Sequence, residues 1–109
     1  MPQAAFAHEG VAIDYTPGAD VAAGDVIVQG DLVGVARLDI KSGVLGALAV
    51  TGVFDFAKAT NVAYTVGTIL YWDDTNNIVT TTSAGNKLIG KVVRAAATTD
   101  PSVRVRMSQ

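Results

Sequence analysis

Apolar and polar positions alternate along much of this chain, most plainly near its C-terminal end. Val103, Val105 and Met107 fall on one side of an extended segment, with Ser102, Arg104, Arg106 and Ser108 on the other. That is the period of a half-buried strand. Val11, Ile13 and Tyr15 alternate in the same way with Ala12, Asp14 and Thr16. In Thr68–Trp72, TILYW, both faces are apolar, which predicts a central strand covered on both sides. Asp73–Asn77, DDTNN, then reads as a five-residue hairpin loop before Ile78. Helical periodicity is scarce, and only Phe56–Val62 and Arg94–Thr98 could hold a turn or two.

The pattern also suggests a duplicated unit. Gly24–Val28, Leu32–Ala36 and Leu48–Phe54 are matched by Gly67–Tyr71, Leu88–Val92 and Val103–Met107. The corresponding faces Leu32/Gly34/Ala36 and Leu88/Gly90/Val92 each carry a glycine inside a strand. Such glycines mark bulges or close backbone approaches. Gly34 and Gly90 are therefore expected to be structural, on two strands crossing near a pseudo-twofold axis without room for a Cβ. The expected fold is all-β, a small barrel or compact sandwich of β-clip-like form with an internal pseudo-twofold repeat. Residues 11–109 form a single β domain behind an N-terminal arm, residues 1–10. The expected core draws on Val26, Val28, Leu32, Val33, Ala36, Val50 and Phe54, then Ile69, Tyr71, Leu88, Val92, Val103 and Val105.

Composition supports this and narrows the function. Sixteen Val, eleven Thr and six Ile favour pleated surfaces over helices. The length suits one domain. There are no cysteines, so disulfides and thiolate metal sites do not arise. A net charge of −2 argues against a globally basic nucleic-acid binder. Val44–Phe54, the longest apolar-leaning run, is too short for a bilayer span, and MPQAAFAHEG lacks the basic and apolar regions of a secretory signal. Neither a nucleic acid nor a membrane is an expected partner. The charge is uneven, however: residues 1–54 carry six acids and two bases, residues 55–109 four acids and six bases. Complementary faces that meet when copies pack together would use such a split.

Candidate chemistry is thin. Gly85–Lys91 fits G-x-x-x-x-G-K, but Val92 follows where a phosphate-binding loop needs Ser or Thr for magnesium, so the stretch reads as strand. His8 and Glu9 are the one histidine and one glutamate, adjacent near a terminus, and read as surface residues. Asp73-Asp74 lacks the glycine and closing glutamate of a calcium loop. No nucleophile lies in a recognisable setting. Catalytic, cofactor and metal residues are expected to be absent, and the protein is expected not to be an enzyme. Two other readings stay open. Lys41, in LDIKSG between strand-like segments, occupies a place like that of the modified lysine in lipoyl and biotinyl carrier domains, although Ile40 precedes it where an Asp or Met is usual. A ligand-binding β domain could hold a sugar or peptide near Tyr71 and Trp72.

Six stretches taken together resemble the small bacteriophage capsid cement, or head decoration, proteins, a family formerly called a domain of unknown function. They are FAHEG (Phe6–Gly10), GDLVGVA (Gly30–Ala36), TGVFDFAKA (Thr51–Ala59), LYWDD (Leu70–Asp74), VTTTSAGNKLIGKV (Val79–Val92) and VRVRM (Val103–Met107). Phe56-Ala57 departs from a frequent Leu-Pro, and Lys91 from a small apolar residue. The resemblance implies a protein made in the bacterial host cytoplasm that stabilises a phage or prophage head from its outer surface by bridging capsid subunits. Its partners would be the major capsid protein and itself, as a homo-oligomer with trimer favoured over dimer. It implies no catalytic residues. The arm, with Ala4, Ala5, Phe6, Ala7, His8 and Glu9, is the expected capsid-contacting element, because extended small-residue segments can add as a strand to a partner's sheet edge.

Overall fold

A computed structural model describes residues 3–109. Nine strands run in chain order: β1 (Ala12–Tyr15), β2 (Val26–Gln29), β3 (Leu32–Ala36), β4 (Gly46–Ala49), β5 (Gly52–Ala57), β6 (Ile69–Asp73), β7 (Ile78–Thr80), β8 (Lys87–Arg94) and β9 (Ser102–Met107). They form two antiparallel sheets, one in the order β1-β4-β3-β2 and the other β5-β9-β8-β6-β7. The all-β expectation holds. No helix occurs among the described residues, and the two segments that could have held helical turns end strands β5 and β8 instead. A closed barrel does not form. The edge strands β5 and β7 of the five-stranded sheet approach each other but are not hydrogen-bonded neighbours.

Leu48–Phe54 is two strands in different sheets rather than one. The chain leaves the four-stranded sheet after Ala49 and enters the five-stranded sheet at Gly52, whose φ of 117° suits glycine and few other residues. The DDTNN hairpin forms one residue shorter than expected: Asp73 ends β6 and pairs with Ile78, leaving residues 74–77 as the loop.

Two apolar clusters hold the sheets. The larger lies between them and includes Val33, Val35, Phe56, Leu70, Trp72, Ile89, Val92, Val103, Val105 and Met107. The smaller, Val21, Ala36, Ile40 and Leu48, occupies the opposite face of the four-stranded sheet, with Ile13, Tyr15 and Ile27 packed on it. Val21 and Ile40 exchange backbone hydrogen bonds of 2.8 Å in both directions, which seats a loop over that face. The four-stranded sheet is thus covered on both sides, and the five-stranded sheet on one.

The expected core needs correcting along β6 and β8. Val33, Ala36, Val50, Val92, Val103 and Val105 are buried, and Val26, Val28, Leu32, Phe54 and Tyr71 half-buried. Ile69 and Leu88 face outward, at 48% and 39% exposure; Leu70 and Ile89 take the interior. The β6–β8 register explains the change: Leu70 pairs with Gly90 and Tyr71 with Leu88, so Ile89 is the extra residue of a bulge. The bulge puts Ile89 and Val92 on the same face, against strict alternation. TILYW is covered on one face, not two: Leu70 and Trp72 are buried in the larger cluster, while Ile69 is exposed and Tyr71 half-buried.

Gly34 and Gly90 sit against the next strand of their own sheets. A Cβ on Gly34 would lie 2.8 Å from that of Leu48 in β4. On Gly90, with φ 155°, it would lie 1.9 Å from the Arg106 carbonyl oxygen in β9. Crowding at both glycines comes from neighbouring strands in the same sheet, a different cause from the crossing expected.

Candidate docking surfaces

Gln3–Gly10 carries no strand and is exposed throughout. Ala4, Ala5, Ala7 and Glu9 are solvent-facing, and Phe6 is 82% exposed. His8 Nδ1 lies 2.6 Å from the Glu9 carbonyl oxygen, the one contact of its ring. Met1 and Pro2, the start of the expected arm, lie outside the described residues. The segment runs into β1, an edge of the four-stranded sheet, whose only strand partner among the described residues is β4.

Beside that edge stands the loop joining β3 to β4. Several hydrogen bonds hold it. The Ser42 amide donates to the Asp20 carboxylate at 2.8 Å, the Ser42 hydroxyl to the Gly18 carbonyl at 3.1 Å, and the Gly43 amide to the Pro17 carbonyl at 2.9 Å. Asp39 accepts from the Ala23 amide at 2.8 Å. On this held loop Leu38, Val44 and Leu45 remain exposed. With Val11 and Val53 they line an open groove of about 930 Å³ that also contains Ala12, Ala47 and Ala49. The alanines are small enough to leave the space open. Lys41 lies on the same loop, its Nζ 3.8 Å from Asp20 and largely solvated.

The outer face of the five-stranded sheet is the second surface. Across β5, β9, β8 and β6, one row reads Val53, Arg106, Lys91, Ile69. The next row has Asp55, Arg104 and Arg94. Arg104 donates twice to Asp55, Nε at 2.9 Å and an Nη at 3.1 Å. This paired hydrogen bond holds the Asp55 carboxyl below the usual carboxylate range. Leu88 and Val93 are exposed on β8.

The ligand-binding reading finds no open aromatic at Trp72. Trp72 is buried, and its indole N–H donates to Asp74 at 3.1 Å, so it is not the exposed aromatic a ligand would stack on. Asp73 accepts from the Asn76 side chain at 2.8 Å and from the Asn76 and Thr75 amides, which lowers its pKa and closes the turn. The Gly85–Lys91 stretch enters β8 at Lys87. Among the described residues, no three His, Cys, Asp or Glu side chains gather where a metal could sit, and no helix is long and apolar enough to cross a membrane.

Two structural residues escaped the sequence reading. Lys58 is buried, and its ammonium donates to the Ala59 and Val62 carbonyls at 3.1 and 2.6 Å, holding the turn after β5. Its inward parity with Phe54 and Phe56 was the available signal. Gln109 behaves like one more strand residue: its side-chain amide accepts from the Val33 amide at 2.8 Å and donates to the Val33 carbonyl at 2.6 Å. Nothing local marks that contact, which spans 76 positions.

Compared with known proteins, residues 7–107 match a family model described as phage cement protein. No curated protein and no solved structure matches.

Proposed function

The chain belongs to the phage cement protein family, a structural family of proteins associated with the phage capsid, and we propose that this member binds the outer surface of the head and bridges neighbouring capsid subunits. A packaged genome pushes outward on its shell. A small protein spanning subunit boundaries adds contacts that must break before the shell opens. Modest affinity per copy suffices, because many symmetry-related copies act together.

The observation that carries this reading is the exposed apolar end of the molecule. Val11, Leu38, Val44 and Leu45 are uncovered around one groove beside the β1 edge, and Phe6 is exposed on the segment that leads into β1. Exposed apolar clusters of this kind mark protein contact sites. Gln3–Glu9 can reach at most about 25 Å when extended, enough to lie along a sheet edge of a shell subunit with Phe6 in a pocket. The 50 Å long axis lets contacts at separate places serve different partners. In this reading the protein is made in the host cytoplasm, performs no catalysis, carries no cofactor, binds neither nucleic acid nor membrane, and self-associates, with three copies favoured.

Deleting residues 2–8 tests the arm. The truncated chain is expected to unfold at nearly the same temperature as the full chain and to lose binding to undecorated heads in a sedimentation assay. Full occupancy by the truncated chain would move attachment away from the arm. Failure of the full chain to bind any head would remove the decoration reading itself.

A further inference from the structure

Two pairs of like charges stand side by side on the outer face of the five-stranded sheet. Lys91 lies directly across from Arg106, and Arg94 across from Arg104. Like charges opposite one another on adjacent strands repel and weaken the sheet. Only Arg104 is neutralised, by Asp55; Lys91, Arg94 and Arg106 enter no ion pair among the described residues. Val53 on β5, Ile69 on β6, and Leu88 and Val93 on β8 are exposed in the same sheet. A face that combines unrelieved cations with uncovered aliphatic side chains suits an anionic protein surface. Single-stranded nucleic acid would call for exposed aromatic rings on which bases stack; the exposed large hydrophobic residues here are aliphatic, and Tyr71 on β6 is half-buried.

The complementary charge is in the same chain. Residues 1–54 hold six acids against two bases, and this segment contains the whole four-stranded sheet. Asp31 is paired with Lys87 and Asp20 with Lys41. Asp25 and Asp39 accept from backbone amides. Asp14, exposed in the middle of edge strand β1, has neither a hydrogen bond nor an ion pair through its carboxylate among the described residues. Glu9 is likewise exposed without a carboxylate partner but lies in the strandless segment, so Asp14 is the unpaired acid that a strand holds in place.

We propose that the outer face of the five-stranded sheet docks a second copy of this chain, with Lys91 and Arg106 against Asp14 on the partner's β1 edge. Val53, Ile69, Leu88 and Val93 lose water around that contact, which strengthens the charge pairing at its centre. The two patches differ, so the contact is heterologous and repeats from copy to copy until a ring closes. The proposal rests on the self-association part of the function proposed above and is independent of the shell.

Light scattering on the full chain tests it. Wild type is expected at a multiple of 11.2 kDa, falling towards the single-chain mass as salt is raised, since exposed charge pairs are screened. The double substitution Lys91→Glu with Arg106→Glu, at exposed positions, should leave the far-ultraviolet circular dichroism spectrum unchanged and weaken association at least about tenfold. Asp14→Lys should do the same. The chain carrying all three substitutions should regain the wild-type mass, because the charges then match again in reverse. A wild type of single-chain mass at every concentration would overturn both self-association and this interface. A wild-type oligomer unaffected by either reversal would overturn the interface alone. Reversals that dissociate the oligomer without rescue in the combined chain would overturn the pairing with Asp14. Binding of a DNA oligonucleotide that Lys91→Glu with Arg106→Glu abolishes, with the oligomer intact, would reassign the face to a polyanion.

Discussion

Leu88 and Ile89 are adjacent, chemically alike and opposite in fate. Ile89 is fully enclosed between the sheets, and Leu88 stands on the outer face. Removing a buried aliphatic side chain loses its transfer free energy and leaves a cavity, so Ile89→Ala should cost about 2–5 kcal/mol. In high salt, where the copies are separate, Leu88→Ala should change stability by less than about 1 kcal/mol, as at other surface positions. Urea midpoints of the two variants decide this, and equal shifts would mean that the β8 bulge is misplaced. Asp55 offers a second test. Its folded-state pKa is depressed by Arg104, so its contribution is complete above the ordinary carboxylate range and disappears as pH falls through the lowered folded value. Both side chains are about half exposed, and solvent screening limits the pair to about 1 kcal/mol or less. Wild type should therefore exceed Asp55→Asn slightly in urea midpoint near neutral pH, and the gap should close in acid. A gap that widens in acid would contradict the pairing.

At the scale of elements, the two sheets depend on contacts that fall outside the strand ladders. The Gln109 side chain bonds both backbone groups of Val33 and lies 3.4 Å from the Val50 carbonyl, joining β3 to the end of the five-stranded sheet. Gln109→Ala removes these bonds without disturbing either apolar cluster. A buried amide or carbonyl left unpaired costs about 1–3 kcal/mol, and Val33 is fully buried. A loss in that range is expected in urea unfolding, with Gln109→Glu intermediate because its carboxylate keeps the acceptor and loses the donor. No change in either variant would show the contact to be dispensable. Lys58 fastens the turn after β5 by the same device, a side chain in place of a missing backbone partner.

At the scale of the whole molecule, the sheets divide the surfaces between them. The four-stranded sheet carries the arm, the apolar loop and most of the acids; the five-stranded sheet carries the basic outer face. The two meet along one border: Val53 lines the groove as well as the outer face, and Asp14 stands on the strand into which the arm runs. The arm deletion and the Lys91→Glu, Arg106→Glu double substitution touch different elements: the first should abolish head binding and leave self-association, the second should dissociate copies that still fold.

The sequence by itself determined the strand-rich class, the outward and inward sides of β9, the DDTNN hairpin, the lack of a recognisable catalytic motif and the likeness to cement proteins. Each depends on short-range periodicity, turn chemistry or residue order, which the chain carries locally. Only the tertiary structure decided the rest. Gly52 sends one apparent strand into two sheets, a change of direction that alternation does not encode. The bulge at Ile89 reverses which residues of β8 are buried, because period-2 reasoning has no place for one extra residue. The cation pairs on the outer face were invisible for a related reason: Lys91 and Arg106 are 15 positions apart in sequence and become neighbours only when β8 and β9 settle into register.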